Sequence, residues 1–166
     1  MNPIYNGGEN MPAVRQVSDT HTLSEFIAMG NSVPDKFDHN AFCMIENRDD
    51  FAYYIYNVLD DYIPELKQQA FTITFTPTEK DKYMFNPKLL CYKIYNTTLW
   101  YYIILRINNM CNVHEFTISK NKLLLIPVNK MKDSLSKIFN SNADMIKRFN
   151  TKHSQDTNPI IIPIKR

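Results

Sequence analysis

Between Leu99 and Ile107 the chain reads Leu-Trp-Tyr-Tyr-Ile-Ile-Leu-Arg-Ile, with Arg106 the only charge in the run. Burial of such large apolar side chains is the main favourable term in folding, so this segment has to sit inside a core. Leu99 to Leu105 is the longest apolar stretch of the chain, well short of the roughly 18 residues a membrane span requires. Trp100, the only tryptophan, reads first as a core residue of a small domain, ahead of a sugar-stacking platform or an interface anchor. Pattern alone leaves the local structure open. The run is β-branched and aromatic, and fits a buried strand as well as a helix.

The 166 residues suit one domain, or one small core with long arms. A hydrophobic share of 44% and an aromatic share of 13% exclude a wholly disordered chain. Only 3 glycines are present, and Gly7-Gly8, the one close pair, lacks a strand–loop–helix context, so a glycine-rich phosphate cradle is excluded. The opening residues Met1-Asn2-Pro3-Ile4-Tyr5-Asn6 lack a basic patch followed by an apolar run, and no secretion signal is expected. Cys43, Cys91 and Cys111 are odd in number and far apart, which reads as reduced thiols of a cytosolic product. The net charge of +2 conceals a polarity. Residues 1–65 hold eleven acids and three bases, whereas residues 120–166 hold ten bases and three acids. That distribution suits layered or head-to-tail contacts with complementary partners.

Residues 1–47 read as an extended arm, punctuated by Pro3, Pro12, Pro34 and Gly30, with one or two helical turns at Leu23–Met29. Residues 48–90 read as a helix plus a strand. Phe51, Tyr54, Ile55, Val58, Leu59 and Tyr62 recur at helical spacing over 48–66, with Asp49 or Asp50 as N-cap and Pro64 at the close. Phe71-Thr72-Ile73-Thr74-Phe75 alternates as a half-buried strand, and residues 77–82 read as a polar turn. Residues 129–166 read as an interrupted helix over 131–149 and an extended tail. Met131, Leu135, Ile138 and Phe139 form one stripe, Met145, Ile146 and Phe149 another, and Ser141 or Asn142 is placed to cap the second helix. In the tail, Pro159-Ile160-Ile161-Ile162-Pro163-Ile164 is β-prone, but its prolines confine it to an edge or to a neighbouring molecule.

Residues 91–128 carry a resemblance. Tyr92-Lys93-Ile94, then Asn96-Thr97-Thr98-Leu99-Trp100, then Asn108-Asn109, then Leu123-Leu124-Leu125-Ile126-Pro127 resemble a LysM module. The resemblance implies strand one at Tyr92 and Ile94, a helix entered at Thr97–Trp100, a buried Asn108, and a closing strand ending at Pro127. It is the resemblance that favours helix for 99–107. It implies a module core of Tyr92, Ile94, Leu99, Trp100, Ile103, Ile107, Asn108, Leu125, Ile126 and Pro127. Trp100-Tyr101-Tyr102-Ile103-Ile104-Leu105 with Asn108-Asn109 is similar to the variant in baseplate wedge proteins of T-even-like phages. The fold class expected is therefore α+β: a βααβ centre, an upstream helix and strand, and extended terminal arms. The resemblance implies a structural, non-enzymatic role in a virion tail baseplate. Partners would be other wedge and hub proteins, in multiple copies of a symmetric assembly, with no cofactor, nucleic acid or membrane. The usual glycines of the LysM turns are replaced here by Asn96 and by Ser119-Lys120-Asn121-Lys122. That argues against an N-acetylglucosamine groove but spares the fold, since asparagine tolerates left-handed backbone. Peptidoglycan or chitin binding is the alternative function.

Other chemistries are weaker. Asp49-Asp50 and Asp60-Asp61 are adjacent acids, which diverge on a helix and read as caps or solvated faces. His21, His39, His114 and His153 share no ligand spacing with the cysteines, and Cys111-Asn112-Val113-His114 is too sparse for zinc. A thiol enzyme rests on those scattered residues alone. Lys130, Lys132, Lys137, Lys147, Arg148 and Lys152 carry no nucleic-acid signature and read as a solvated face. Tyr101 and Tyr102 point apart on a helix, and tyrosine is enriched at interfaces. They and Ile160, Ile161 and Ile162 are the expected protein contacts.

Overall fold

The structure, a computed structural model, describes residues 20–30, 37 and 39–155. In chain order it runs β1 (Thr20–Thr22), α1 (Leu23–Met29), a 3-10 turn (His39–Phe42), β2 (Cys43–Arg48), β3 (Phe51–Asn57), α2 (Leu59–Gln68), β4 (Phe71–Thr74), α3 (Pro77–Tyr83), α4 (Pro87–Tyr95), α5 (Tyr101–Ile107), 3-10 turns at Val113–Glu115 and Ser119–Asn121, β5 (Lys122–Leu125) and α6 (Val128–Gln155). The class is mixed α+β. No described helix is long and apolar enough to cross a membrane.

A three-stranded sheet in the order β1-β4-β5 organises the centre. β4 is its middle strand, parallel to β1 and antiparallel to β5, with Ile73 opposite Leu123 and Phe71 opposite Leu125. Ile73, Leu123 and Leu125 are buried against Trp100, Ile104, Ile107, Phe116 and Ile118 in one continuous apolar cluster. The apolar run is helical: Ile103, Ile104, Leu105 and Ile107 are all buried on α5.

Local chemistry explains the helix starts. Thr22 and Glu25 form a reciprocal capping box at α1, and Thr76 and Glu79 form another at α3 with Pro77 in the first turn. Asn86 caps α4 by accepting from Leu89 N–H at 3.2 Å, again with proline next in line. Residues 77–82, expected as a turn, are thus helical. Tyr92 and Ile94, expected as strand one, lie within α4. The strand that pairs with β5 is β4, upstream of them.

Residues 48–66 also depart from expectation. Asp49 (φ 47°) and Asp50 (φ 69°) make a two-residue turn with both residues left-handed, joining β2 to β3, rather than capping a helix. The helix begins only at Leu59 and continues through Pro64 to Gln68. Pro64 costs one N–H···O=C bond and does not stop it. Residues 131–149 lie in one helix of 28 residues, Val128–Gln155, not two. Ser141 and Asn142, expected as caps, donate back to Lys137 C=O at 2.9 Å and Ile138 C=O at 2.8 Å. That local bonding lets polar residues sit inside a helix.

The glycine-poor turns are built with left-handed side-chain-bearing residues: Asn96 (φ 58°) closes α4, and Lys120 (φ 53°) and Asn121 (φ 58°) lead into β5. Asparagine accepts this conformation; for lysine it is strained by about 1 kcal/mol. Lys120→Gly is therefore expected to stabilise the fold by about 1 kcal/mol in urea unfolding; an unchanged or lowered midpoint would show that Lys120 is not strained.

Candidate functional site

The module centre is assembled around Trp100 and Asn108. Trp100 is 1% exposed, its Nε1–H donates to Phe37 C=O at 2.7 Å, and its ring meets Tyr95 edge-on with centroids 5.3 Å apart. The indole is therefore fully engaged inside the protein and presents no face to a sugar. Tyr95 in turn donates its hydroxyl to Ile126 C=O at 2.6 Å, tying α4 to the end of the closing strand. Burial pushes the Tyr95 hydroxyl pKa well up, so it stays protonated and keeps donating.

Asn108 follows α5. Its Nδ2 donates to Ile104 C=O at 2.8 Å and to Leu124 C=O at 2.9 Å, and its Oδ1 accepts from Leu124 N–H at 2.9 Å. One amide thus satisfies a helix-end carbonyl and both backbone groups of a strand residue, as a peptide of a neighbouring strand would. Of the other expected core residues, Ile94, Ile103, Ile107, Leu125 and Ile126 are buried, and Leu99 and Pro127 are half-buried. Tyr92 is the exception: it lies on the outer face of α4 and is 55% exposed.

Tyr101 and Tyr102 are half-buried. The Tyr102 hydroxyl donates to Asp60 Oδ1 at 2.8 Å, and Arg106 Nε donates to the same oxygen at 3.0 Å. Burial, reinforced by that carboxylate, raises the Tyr102 pKa. Lys88 Nζ stands 4.9 Å from the Tyr101 ring centre. Both tyrosines thus have partners within the chain. Ile160, Ile161 and Ile162 lie outside the described residues.

The surface that sequence reasoning missed is the β2–β3 hairpin. Every residue of β3 from Phe51 to Tyr56 is exposed. Phe51 (66%), Tyr54 (60%) and Ile55 (50%) are the most open, and Tyr53 and Tyr56 stand beside them. Alternation along a strand places Phe51 and Tyr53 on one face and Ala52 and Tyr54 on the other, up to an irregularity at Ile55, where Ile45 pairs with Tyr54 and Met44 with Tyr56. Exposed apolar residues scattered singly mean little, whereas a contiguous aromatic patch marks a contact surface. The hidden signal was the run of aromatic and β-branched residues directly after Asp49-Asp50, which favours a strand.

Chemistry elsewhere is sparse. Cys91 is buried, and burial pushes its thiol up to about 12. Cys43 is also buried, and Cys111 is exposed. Among the described residues no group of three His, Cys, Asp or Glu is arranged to hold a metal ion. A groove of about 470 Å³ between α2 and α6 has a mixed polar lining that includes Tyr62, Glu65, Gln69, Lys130, Asp133 and Lys137. The chain matches no family model, no curated protein and no solved structure.

Proposed function

We propose that the chain is a structural, non-enzymatic subunit of a phage contractile-tail baseplate, in the wedge, joining neighbouring wedge and hub proteins by protein–protein contacts. The observation that carries this reading is the aromatic hairpin. Burying Phe51, Tyr53, Tyr54, Ile55 and Tyr56 against partners gives the anchors typical of interfaces, where aromatic residues are enriched and dominate binding energy. The resemblance to a LysM module stays part of this reading, although Tyr92 and Ile94, its expected strand one, lie in α4. β4, α4, α5 and β5 stand in βααβ order with α3 inserted, and Asn108 clasps helix to closing strand. The unequal charge of the two ends fits contacts that set register between subunits.

Glycan binding is the competing outcome, and it is disfavoured by the buried indole and by side chains where the LysM turns carry glycine. The test is a chain with Tyr53→Ser and Tyr54→Ser, one on each face of β3. Its unfolding free energy is expected to stay within about 0.5 kcal/mol of the parent, since both residues are exposed. Its recovery in sheath-bearing particles is expected to fall at least about tenfold, the effect of losing roughly 1.4 kcal/mol of interface energy. Undiminished incorporation, or saturable binding of N-acetylglucosamine oligomers by the parent, would remove the proposal.

A further inference from the structure

The two edges of the β2–β3 hairpin are treated differently. On β2, the Asn150 side chain accepts from Ile45 N–H at 2.8 Å and donates to Cys43 C=O at 3.2 Å, so α6 closes that edge, as helices commonly do for exposed strands. These bonds also fix the direction of the backbone. Ile45 and Cys43 turn their peptide groups away from β3, so by alternation Met44, Glu46 and Arg48 face it, and their partners Tyr56, Tyr53 and Phe51 face back. Ala52 and Tyr54 therefore point their N–H and C=O groups outward, and among the described residues no strand lies beyond β3. A two-stranded ribbon is marginal in water, and such an edge is a template for another strand.

The side chains of β3 suit a second copy of the same strand. Phe51 to Asn57 holds no charged residue and no proline, so nothing in its composition repels an identical strand. Antiparallel pairing of two copies about Tyr53 sets Ala52 opposite Tyr54 of the second copy, and Tyr54 opposite its Ala52. Each such pair exchanges both backbone hydrogen bonds through the groups that point outward. On one face the smallest side chain of the strand then sits beside the tyrosine. On the other, Tyr53 meets its own counterpart as an aromatic cross-strand pair. The Asp49-Asp50 turns of the two copies lie at opposite ends of the ribbon, so no like charges face each other.

A sheet made this way stops growing. Its outer strands are the two copies of β2, each closed by α6, and the irregularity at Ile55 ends the new ladder beyond Tyr54. The contact is two-fold and closed rather than a route to fibres. Phe51, Tyr53 and Tyr54 together expose about 350 Å² per chain, at roughly 200 Å² for each whole aromatic side chain, so two copies bury at most about 700 Å² through them. That area belongs to weak, reversible pairs.

We infer that two copies of the chain pair edge to edge through β3, antiparallel about Tyr53, to make the sheet β2-β3-β3-β2. The inference is independent of the proposed function: it uses the backbone edge of β3 and needs no other protein.

Sedimentation of the purified full chain from about 1 µM to about 500 µM reads the pairing, and hydrogen exchange over the same range reads its register. The mass is expected to rise reversibly from one chain toward two and no further. The Ala52 and Tyr54 amides are expected to gain at least about tenfold in protection with concentration, and the Phe51 and Tyr53 amides, which face β2, to gain less. Ala52→Glu sets a carboxylate on the pairing edge and is expected to weaken association at least about tenfold. Ala52→Ser, small and neutral, is expected to retain it. Ala52 is exposed in the single chain, and amides of α5 and β5 report that both variants are folded. A mass of one chain throughout, growth beyond two chains, or equal association of the two variants would overturn the inference. So would Ala52 and Tyr54 amides already fully protected at the mass of one chain.

Discussion

Trp100→Ala is expected to lower the unfolding free energy by about 3–5 kcal/mol, the range for deleting a large buried aromatic side chain. The loss has three sources. The side chain is 1% exposed, so a cavity is left between α5, α4 and the sheet. The edge-on contact with Tyr95 disappears, a further 0.5–1.5 kcal/mol or so in typical aromatic pairs. Phe37 C=O loses the indole N–H that now reaches it at 2.7 Å. Trp100→Phe retains most of the volume and the ring contact, and should cost about 1–3 kcal/mol, chiefly the unmade hydrogen bond. Urea titration followed by circular dichroism orders the two variants. An alanine variant within about 1 kcal/mol of the parent would mean that the indole is not a central packing element.

Asn108→Ala is expected to cost about 2–4 kcal/mol although the residue is only half-buried. The alanine leaves Leu124 N–H, Leu124 C=O and Ile104 C=O without the partner they have now, and unsatisfied buried backbone groups cost about 1–3 kcal/mol each. Asn108→Asp separates donation from acceptance. Its carboxylate can still accept from Leu124 N–H, but it faces two carbonyl oxygens to which the amide had donated. Proximity to those oxygens disfavours the charged form, so the folded-state pKa of the new aspartate lies above its unfolded value of about 3.9. A raised carboxyl pKa binds a proton in the folded state that the unfolded state has released. The aspartate variant is therefore most stable relative to the alanine variant below about pH 4, and loses that advantage as the pH rises through the folded pKa. Paired urea titrations at pH 3.5 and pH 7 check the sign, with a larger gap at neutral pH between aspartate and parent as the expected result.

Several elements were readable from local pattern. Leu23–Met29 has its Thr22–Glu25 box, Phe71–Thr74 alternates, and Leu123–Leu125 reads as a closing strand. The helix owes its form to neighbours within a few residues, whereas the strands alternate locally but pair across about 50 residues, and the closing strand was expected from the family resemblance. The errors cluster where two periods fit one stretch. Phe51, Tyr54, Ile55 and Val58 satisfy helical spacing, yet Tyr53 and Tyr56 lie between them, so the opposite face is too apolar to specify a helix. Asp49-Asp50 then decided the outcome, because aspartate enters the left-handed region that a tight hairpin turn demands. Tyr92 and Ile94 match a family pattern for strand one, but the Asn86-Pro87 start signal commits the next two turns to helix. The exposed hairpin was invisible for the same reason. A stretch read as an amphipathic helix is assumed to bury its apolar side chains, whereas β3 presents them on both faces to solvent.

The grip of Asn150 on Ile45 spans 105 residues of sequence. On a ribosome adding about 5–20 residues per second, the strands of the hairpin are made roughly 5–20 seconds before the amide that secures them. For that interval the nascent molecule carries a bare aromatic ribbon whose backbone on the β2 side is still unclaimed. Closely spaced ribosomes on one message would bring such ribbons together, so the rate of translation past residue 57, not only the final fold, sets how much of the product escapes mutual strand pairing.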